Sequence, residues 1–284
     1  MNPTLYNAAM RGNIGDANFL HADHLKRDEE NGYQVTPKGN TVLHVAALYG
    51  HSHFAREVLK ITPALLCCQN KKNETALHIA ANEGHTEVVR VLLACTEDHN
   101  TKEKLTRTTD ASGDTALHKS MRSQHLDVVK LLVKEDPEFE FPPNHAQKTP
   151  LYLEAESGDV NMIKKLLNHC PDCRDMLNSN NQNSLHVAVF FNQDELICFL
   201  LDYDEYDSLV DEPDSDGNTP LHLRAASGNH VAELINHPRA KKMSFNKQNQ
   251  TPLDIALSRI VTTEKVSSRT FIFQILVALE YICW

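Results

Sequence analysis

Between Asn73 and Leu93 the chain reads NETALHIAANEGHTEVVRVLL, and its apolar positions fall into two short helical blocks separated by a glycine. Leu77, Ile79, Ala80 and Ala81 give the first block an apolar side, and Val88, Val89, Val91, Leu92 and Leu93 recur at helical spacing in the second. Asn73 and Glu74 read as the tip of a turn. Thr75 follows as an N-cap, whose hydroxyl can accept a hydrogen bond from an amide that the first helical turn leaves unpaired. Gly84 suits the left-handed backbone that ends the first helix, so His85 and Thr86 open the second. The pattern predicts a helix hairpin with a protruding turn, in which Ala80 and Ala81 are small enough to let a neighbouring helix approach closely.

The same pattern recurs along the chain. The leucine represented by Leu77 returns at Leu5, Leu43, Leu117, Leu151, Leu185, Leu221 and Leu253, in steps of 38, 34, 40, 34, 34, 36 and 32 residues. The local words agree: GNTVLHVAALYGH, SGDTALHKSM, QKTPLYLEAESGD, QNSLHVAVF, DGNTPLHLRAASGN and QTPLDIA. This resembles the ankyrin repeat, whose period is about 33 residues, over nearly the whole chain. The resemblance implies an all-α solenoid of about eight helix-turn-helix units over residues 1–264, closed by a C-terminal capping helix over 265–284. Each unit buries its apolar face only against its neighbours, so length here counts repeats rather than domains.

Several units depart from the pattern. Tyr6 stands where later units carry histidine, and the first unit reads as the N-terminal cap. Residues 21–38 read as a charged loop with an extra helical turn. The long connection between Leu93 and Thr115 reads as an insertion in a loop. In the fourth unit Met121 replaces alanine and Gln124 replaces glycine, which predicts a longer or displaced first helix. Asn192 takes the glycine place in the sixth unit, a tolerable exchange because asparagine visits the left-handed region readily.

Charge and composition narrow the partners. There are 28 basic against 38 acidic residues, a net of −10, and no Lys/Arg-rich block, so nucleic acid is not an expected partner. No secretory segment and no run of 18 apolar residues occurs, and the seven cysteines form no disulfide framework, so a soluble cytoplasmic chain with reduced thiols is expected. The sequons at Asn73 and Asn249 are then unused. Residues 202–217, rich in Asp and Glu, read as a solvated turn, with contact to a basic partner as the sharper alternative.

His44, His78, His118, His186 and His222 share one repeat position, after the leucine, where an imidazole can bond the capping hydroxyl and neighbouring backbone. Their role is expected to be structural. The CxxC formed by Cys170 and Cys173 is the one feature that could carry chemistry, as a thiol-redox pair or half a zinc site, but it follows a helix and has no second CxxC. No nucleotide, hydrolase or metalloprotease motif is present, so no enzyme, cofactor or metal is expected.

In ankyrin arrays the residues just before the closing glycine face the groove where partners bind. Carried over by position these are Leu48 and Tyr49, Asn82 and Glu83, Arg122 and Ser123, Glu156 and Ser157, Phe190 and Phe191, and Ala226 and Ser227. Tyr49, Asn82, Glu83, Arg122, Glu156, Phe190 and Phe191 are the candidate partner-binding residues, with the adjacent phenylalanines as the expected anchor. The opening MNPTLYNAAMRGN, GNTVLHVAALYGH and the closing NKQNQTPLDIA resemble plant ankyrin proteins of the accelerated-cell-death family. That resemblance implies a protein-interaction scaffold in defence and cell-death signalling. Such relatives continue into a membrane domain opening with Pro-Gly-Gly, which is absent from this sequence, so membrane residence is not carried over.

Overall fold

Thr41, Thr75, Thr115, Thr149, Asn183 and Thr219 each hold extended backbone and cap the helix that follows. In a computed structural model, which describes residues 1–14, 32–96, 99–136, 143–146, 148–169, 177–202, 208–229, 232–262 and 272, these caps mark the repeats. Among the described residues there are helices and turns but no strand.

The chain divides into two compact units, Met1–Ala146 and Gln147–Trp284. The first contains α1 (Pro3–Arg11), α2 (Val42–Leu48), α3 (Ser52–Ile61), α4 (Ala76–Asn82), α5 (Thr86–Ala94), α6 (His99–Arg107), α7 (Ala116–Arg122) and α8 (Leu126–Glu135). Helices α1, α2, α4 and α7 pack side by side as an inner row, and α3, α5 and α8 form the outer row. The second unit contains α9 (Pro150–Ser157), α10 (Val160–His169), α11 (Ser184–Phe190), α12 (Asp194–Leu201), α13 (Pro220–Ser227), α14 (Ala232–Asn236) and α15 (Pro252–Thr262). Here α9, α11, α13 and α15 form the inner row and α10, α12 and α14 the outer. Between rows lie the repeated apolar positions, with Leu43, Ala46, Leu77, Ala80, Val88 and Leu92 fully buried. Burying one such leucine contributes about 1.5–3 kcal/mol.

Three sets of hydrogen bonds join neighbouring repeats. First, the caps Thr41, Thr75, Thr115, Asn183 and Thr219 each donate their backbone N–H to Nδ1 of the histidine three residues on, at 3.2 Å for Thr75 and His78; Thr149, followed by Tyr152, has no such ring. The Nε2–H of that histidine donates to a carbonyl of the next repeat: His44 to Glu74 at 2.8 Å, His78 to Asp114 at 3.0 Å and His186 to Asn218 at 3.0 Å. A backbone amide can only donate and a carbonyl can only accept, so these rings are neutral and protonated on Nε2. The structural role expected for these histidines is borne out.

Second, the residue after the helix-closing position reaches back to the preceding repeat. His51 bonds Met10 O at 2.8 Å, His85 bonds Leu48 O at 3.1 Å, His125 bonds Asn82 O at 3.0 Å and Gln193 donates to Glu156 O at 2.8 Å. These bonds lock the turns that carry the candidate site residues. They also hold the closing glycines tightly: a Cβ on Gly84, whose φ is +74°, would stand 2.5 Å from His125 Nδ1.

Third, an Asx residue seven positions before each repeat leucine from Leu77 onward builds the turn. Asn70 Oδ1 accepts the Lys72 and Glu74 amides at 2.8 and 3.0 Å, and Asp110, Asn178, Asp214 and Asn246 do the same. Successive tips then join through backbone, as from Lys71 N–H to Lys38 O at 3.1 Å and from Ala111 N–H to Lys72 O at 2.8 Å.

Two expectations are corrected. The first helix of the fourth repeat, α7, has seven residues like α2 and α4 and is not displaced. Gln124 itself adopts φ +59° and Met121 is buried in the alanine place, while the His125 bond to Asn82 O fixes where the next helix starts. The connection between Leu93 and Thr115 is not simply a loop, because it holds α6. Buried Leu105 anchors that helix, and Thr106 and Arg107 bond the Asp136 carboxylate at the end of α8, at 2.8 to 2.9 Å. Cys170 and Cys173, residues 203–207 of the acidic segment, most of the 21–38 loop, and the predicted capping helix apart from Ile272 lie outside the described residues.

Candidate functional site

In the second unit the predicted phenylalanines take different roles. Phe190, the last residue of α11, is 62% exposed, whereas Phe191 is half-buried. Their rings meet edge to face at 5.1 Å. Phe191 also packs edge-on against Tyr152 of the preceding repeat, with centroids 6.3 Å apart. Tyr152 stands in the position that histidine fills elsewhere, and its hydroxyl is shifted above the ordinary phenol value by burial and then by the Glu156 charge. Lys148 places its ammonium 5.4 Å from the Tyr152 ring centroid and pairs with Glu156. The aromatic cluster therefore holds Phe190 in place while leaving its face open.

In the first unit Tyr49 is 42% exposed, and a hydrogen bond between its side chain and Tyr6 raises the Tyr6 hydroxyl, with burial adding to the shift. Asn82 and Glu83 are exposed beside one another, with Asn82 Nδ2 donating to Glu83 Oε1 at 3.0 Å. Arg122 is committed to Asp114 through a two-pronged pair at 2.6 and 3.1 Å. Lys119 sits among Asp110, Glu74 and Asp114 at 2.7, 3.5 and 3.9 Å. Burial pushes the Asp110 and Asp114 carboxyls up, but their partners outweigh it: Lys119 and turn amides for Asp110, Arg122 and Asn144 for Asp114. Both stay below the ordinary carboxylate range, and Lys119 is held above its own despite burial. This network stiffens the surface between the turn tips and α7. The predicted residues thus fall into separate clusters in the two units.

Sequence reasoning passed over Tyr152, the second histidine set and two buried ionisable side chains. His51, His85 and His125 are spaced by 34 and 40 residues, the same steps as Leu43, Leu77 and Leu117, and that recurrence was the available signal. Glu154 and Arg224 stand where Ala46, Ala80 and Ala188 stand in other repeats, and both are buried. Arg224 reaches Asn192 at 3.0 Å and Asp194 at 2.7 Å. Among the described residues no group of three His, Cys, Asp or Glu side chains could hold a metal, and no helix is long and apolar enough to cross a membrane.

Comparison with known proteins agrees with the repeat geometry. The family model described as "Ankyrin repeats (3 copies)" matches residues 5–103, 62–142 and 138–210. Protein ACCELERATED CELL DEATH 6 of Arabidopsis thaliana is 31% identical over 209 residues, 67% of this chain and 31% of that protein. Human inversin is 28% identical over 158 residues, covering 53% of this chain and 14% of inversin. The chain therefore spans less than a third of the length of either relative. The human ASB11 ankyrin repeat domain superposes with a TM-score of 0.62 at 18% identity, covering 83% of this chain and 98% of that domain, a likeness of fold. By its recurring leucine, its capped inner helices and the matching family model, the chain belongs to the ankyrin-repeat family.

Proposed function

We propose that this chain is a non-catalytic scaffold that binds another protein through the ends of its inner helices, with Phe190 as the principal anchor of the second unit. The observation that carries the reading is a phenylalanine 62% exposed yet braced edge-on by a half-buried neighbour. An exposed ring held in place loses little conformational freedom on binding and gains by desolvation, the usual behaviour of an interface anchor. The likeness to the Arabidopsis relative, whose name refers to cell death, supports a role in cell-death signalling.

Phe190→Ser tests the anchor. It should leave the melting temperature near the parent's, since surface changes are worth under about 0.5 kcal/mol, and weaken partner binding about thirtyfold, a loss of roughly 2 kcal/mol. Phe191→Ser should lower the melting temperature, because that ring packs on Tyr152. A collapse of folding in Phe190→Ser would make the ring core. Unchanged binding would move the partner surface elsewhere.

A further inference from the structure

The first compact unit carries a second surface of different chemistry. Lys38 tips the turn before α2, Lys71 and Lys72 tip the turn before α4, and the Lys71 N–H bond to Lys38 O holds the two tips together at 3.1 Å. All three side chains are exposed, and none pairs with a carboxylate among the described residues. Two acids line the same groove: Glu74, paired with Lys119 and bonded by Asn70, and Glu83, which accepts a hydrogen bond from Asn82. The lysines overhang a groove of about 640 Å³ whose far wall includes Leu48 and Ile79. That groove runs into a second, of about 540 Å³, lined by Met1, Pro3, Tyr6, Val45 and Leu48; the two share Pro37, Lys38, Asn40 and Leu48. On a chain of net charge −10, three exposed lysines without ion pairs among the described residues, gathered beside an apolar cleft, are a local concentration of positive charge.

We propose that this groove binds an extended acidic segment of a partner protein carrying at least one large aliphatic or aromatic side chain. Its carboxylates would lie against Lys38, Lys71 and Lys72, and its apolar side chain would enter the cleft between Tyr6, Val45 and Leu48. Charge complementarity at the rim selects the segment and speeds its encounter, while the cleft supplies affinity. An apolar cleft beside only two cationic tips suits a peptide better than a nucleic-acid backbone, which needs a longer basic track. The proposal rests on the scaffold reading but uses a surface distinct from Phe190.

A randomised phage-displayed peptide library, selected on the full chain, tests it. The expected binders carry net negative charge and a large apolar residue, weaken as salt rises, and lose about tenfold or more in affinity for K38E/K71E/K72E. The neutral variant K38Q/K71Q/K72Q should lose part of that affinity while melting like the parent, and Phe190→Ser should bind the same peptides as the parent. Absence of binders above background, binders that are neutral or basic, or binders indifferent to the lysine variants would overturn the proposal. So would lysine-dependent binding to phosphatidylserine vesicles without any peptide binding. If the peptides fail while Phe190→Ser still loses its partner, the scaffold reading survives and this groove does not.

Discussion

At the scale of single residues, the buried ionisable groups make stability depend on pH in two opposed ways. His44, His78, His186 and His222 have their pKa lowered, chiefly by burial; each ring also accepts a backbone N–H at Nδ1, a bond that protonation would remove. A depressed histidine means that the unfolded chain binds more protons, so this stability is complete above about pH 6.5 and is lost as pH falls through the folded values. Glu154 works the other way. Burial, and then the Asp159 charge, push its carboxyl up to about 8 from an ordinary 4.5. The folded chain then keeps a proton that the unfolded chain gives up, so stability is complete below about pH 4.5 and falls as pH rises toward 8. At about 1.4 kcal/mol per pH unit the full effect is on the order of a few kcal/mol. Thermal melts of the parent and Glu154→Gln should differ little at pH 4 and separate by pH 8, with the variant more stable. Equal melting at both pH values would show that Glu154 is solvated. The melting temperature of Glu154→Gln should itself fall as pH drops below about 6.5.

At the scale of the element, the helix breaks decide how repeats register. Gly84 cannot carry a side chain, since φ and the His125 ring both forbid it, yet Gln124 makes the same break at φ +59°. A left-handed conformation costs a residue with a side chain about 1–2 kcal/mol, so Gln124→Gly should raise stability by about 1 kcal/mol in denaturant titration. A loss of stability would mean that the Gln124 side chain contributes packing its exposure hides. The fold was legible because a leucine, a cap and a break were restated many times, and the histidine role followed from the same periodicity. Helix α6 was not legible. HNTKEKLTR offers one buried apolar residue, Leu105, and its anchor Asp136 lies some thirty residues away, beyond any local pattern. The site was legible in part: position alone picked out Phe190 and Phe191, but their different burial depends on Tyr152 in the preceding repeat. Arg122 is exposed as expected, but its pairing with Asp114 was not legible, because that partner sits in the turn ahead of the helix, a contact that helix periodicity does not encode.

At the scale of the whole molecule, two compact units present different faces: an aromatic one around Phe190, and a lysine-rimmed cleft between Met1 and Lys119. Carrying partners on such faces needs no moving part and no reactive group, only rigid presentation by the hydrogen bonds that tie each repeat to the next. The most direct measurement is site-specific photocrosslinking in native extract, with a benzophenone side chain placed at Phe190 and, separately, at the outer-row positions Arg56 and Glu87, which are also exposed. The account predicts discrete protein adducts from position 190, competed away by unlabelled parent and not by Phe190→Ser, with none in common from positions 56 and 87. Adducts of the same identity and yield from all three positions, or from the outer positions alone, would contradict it.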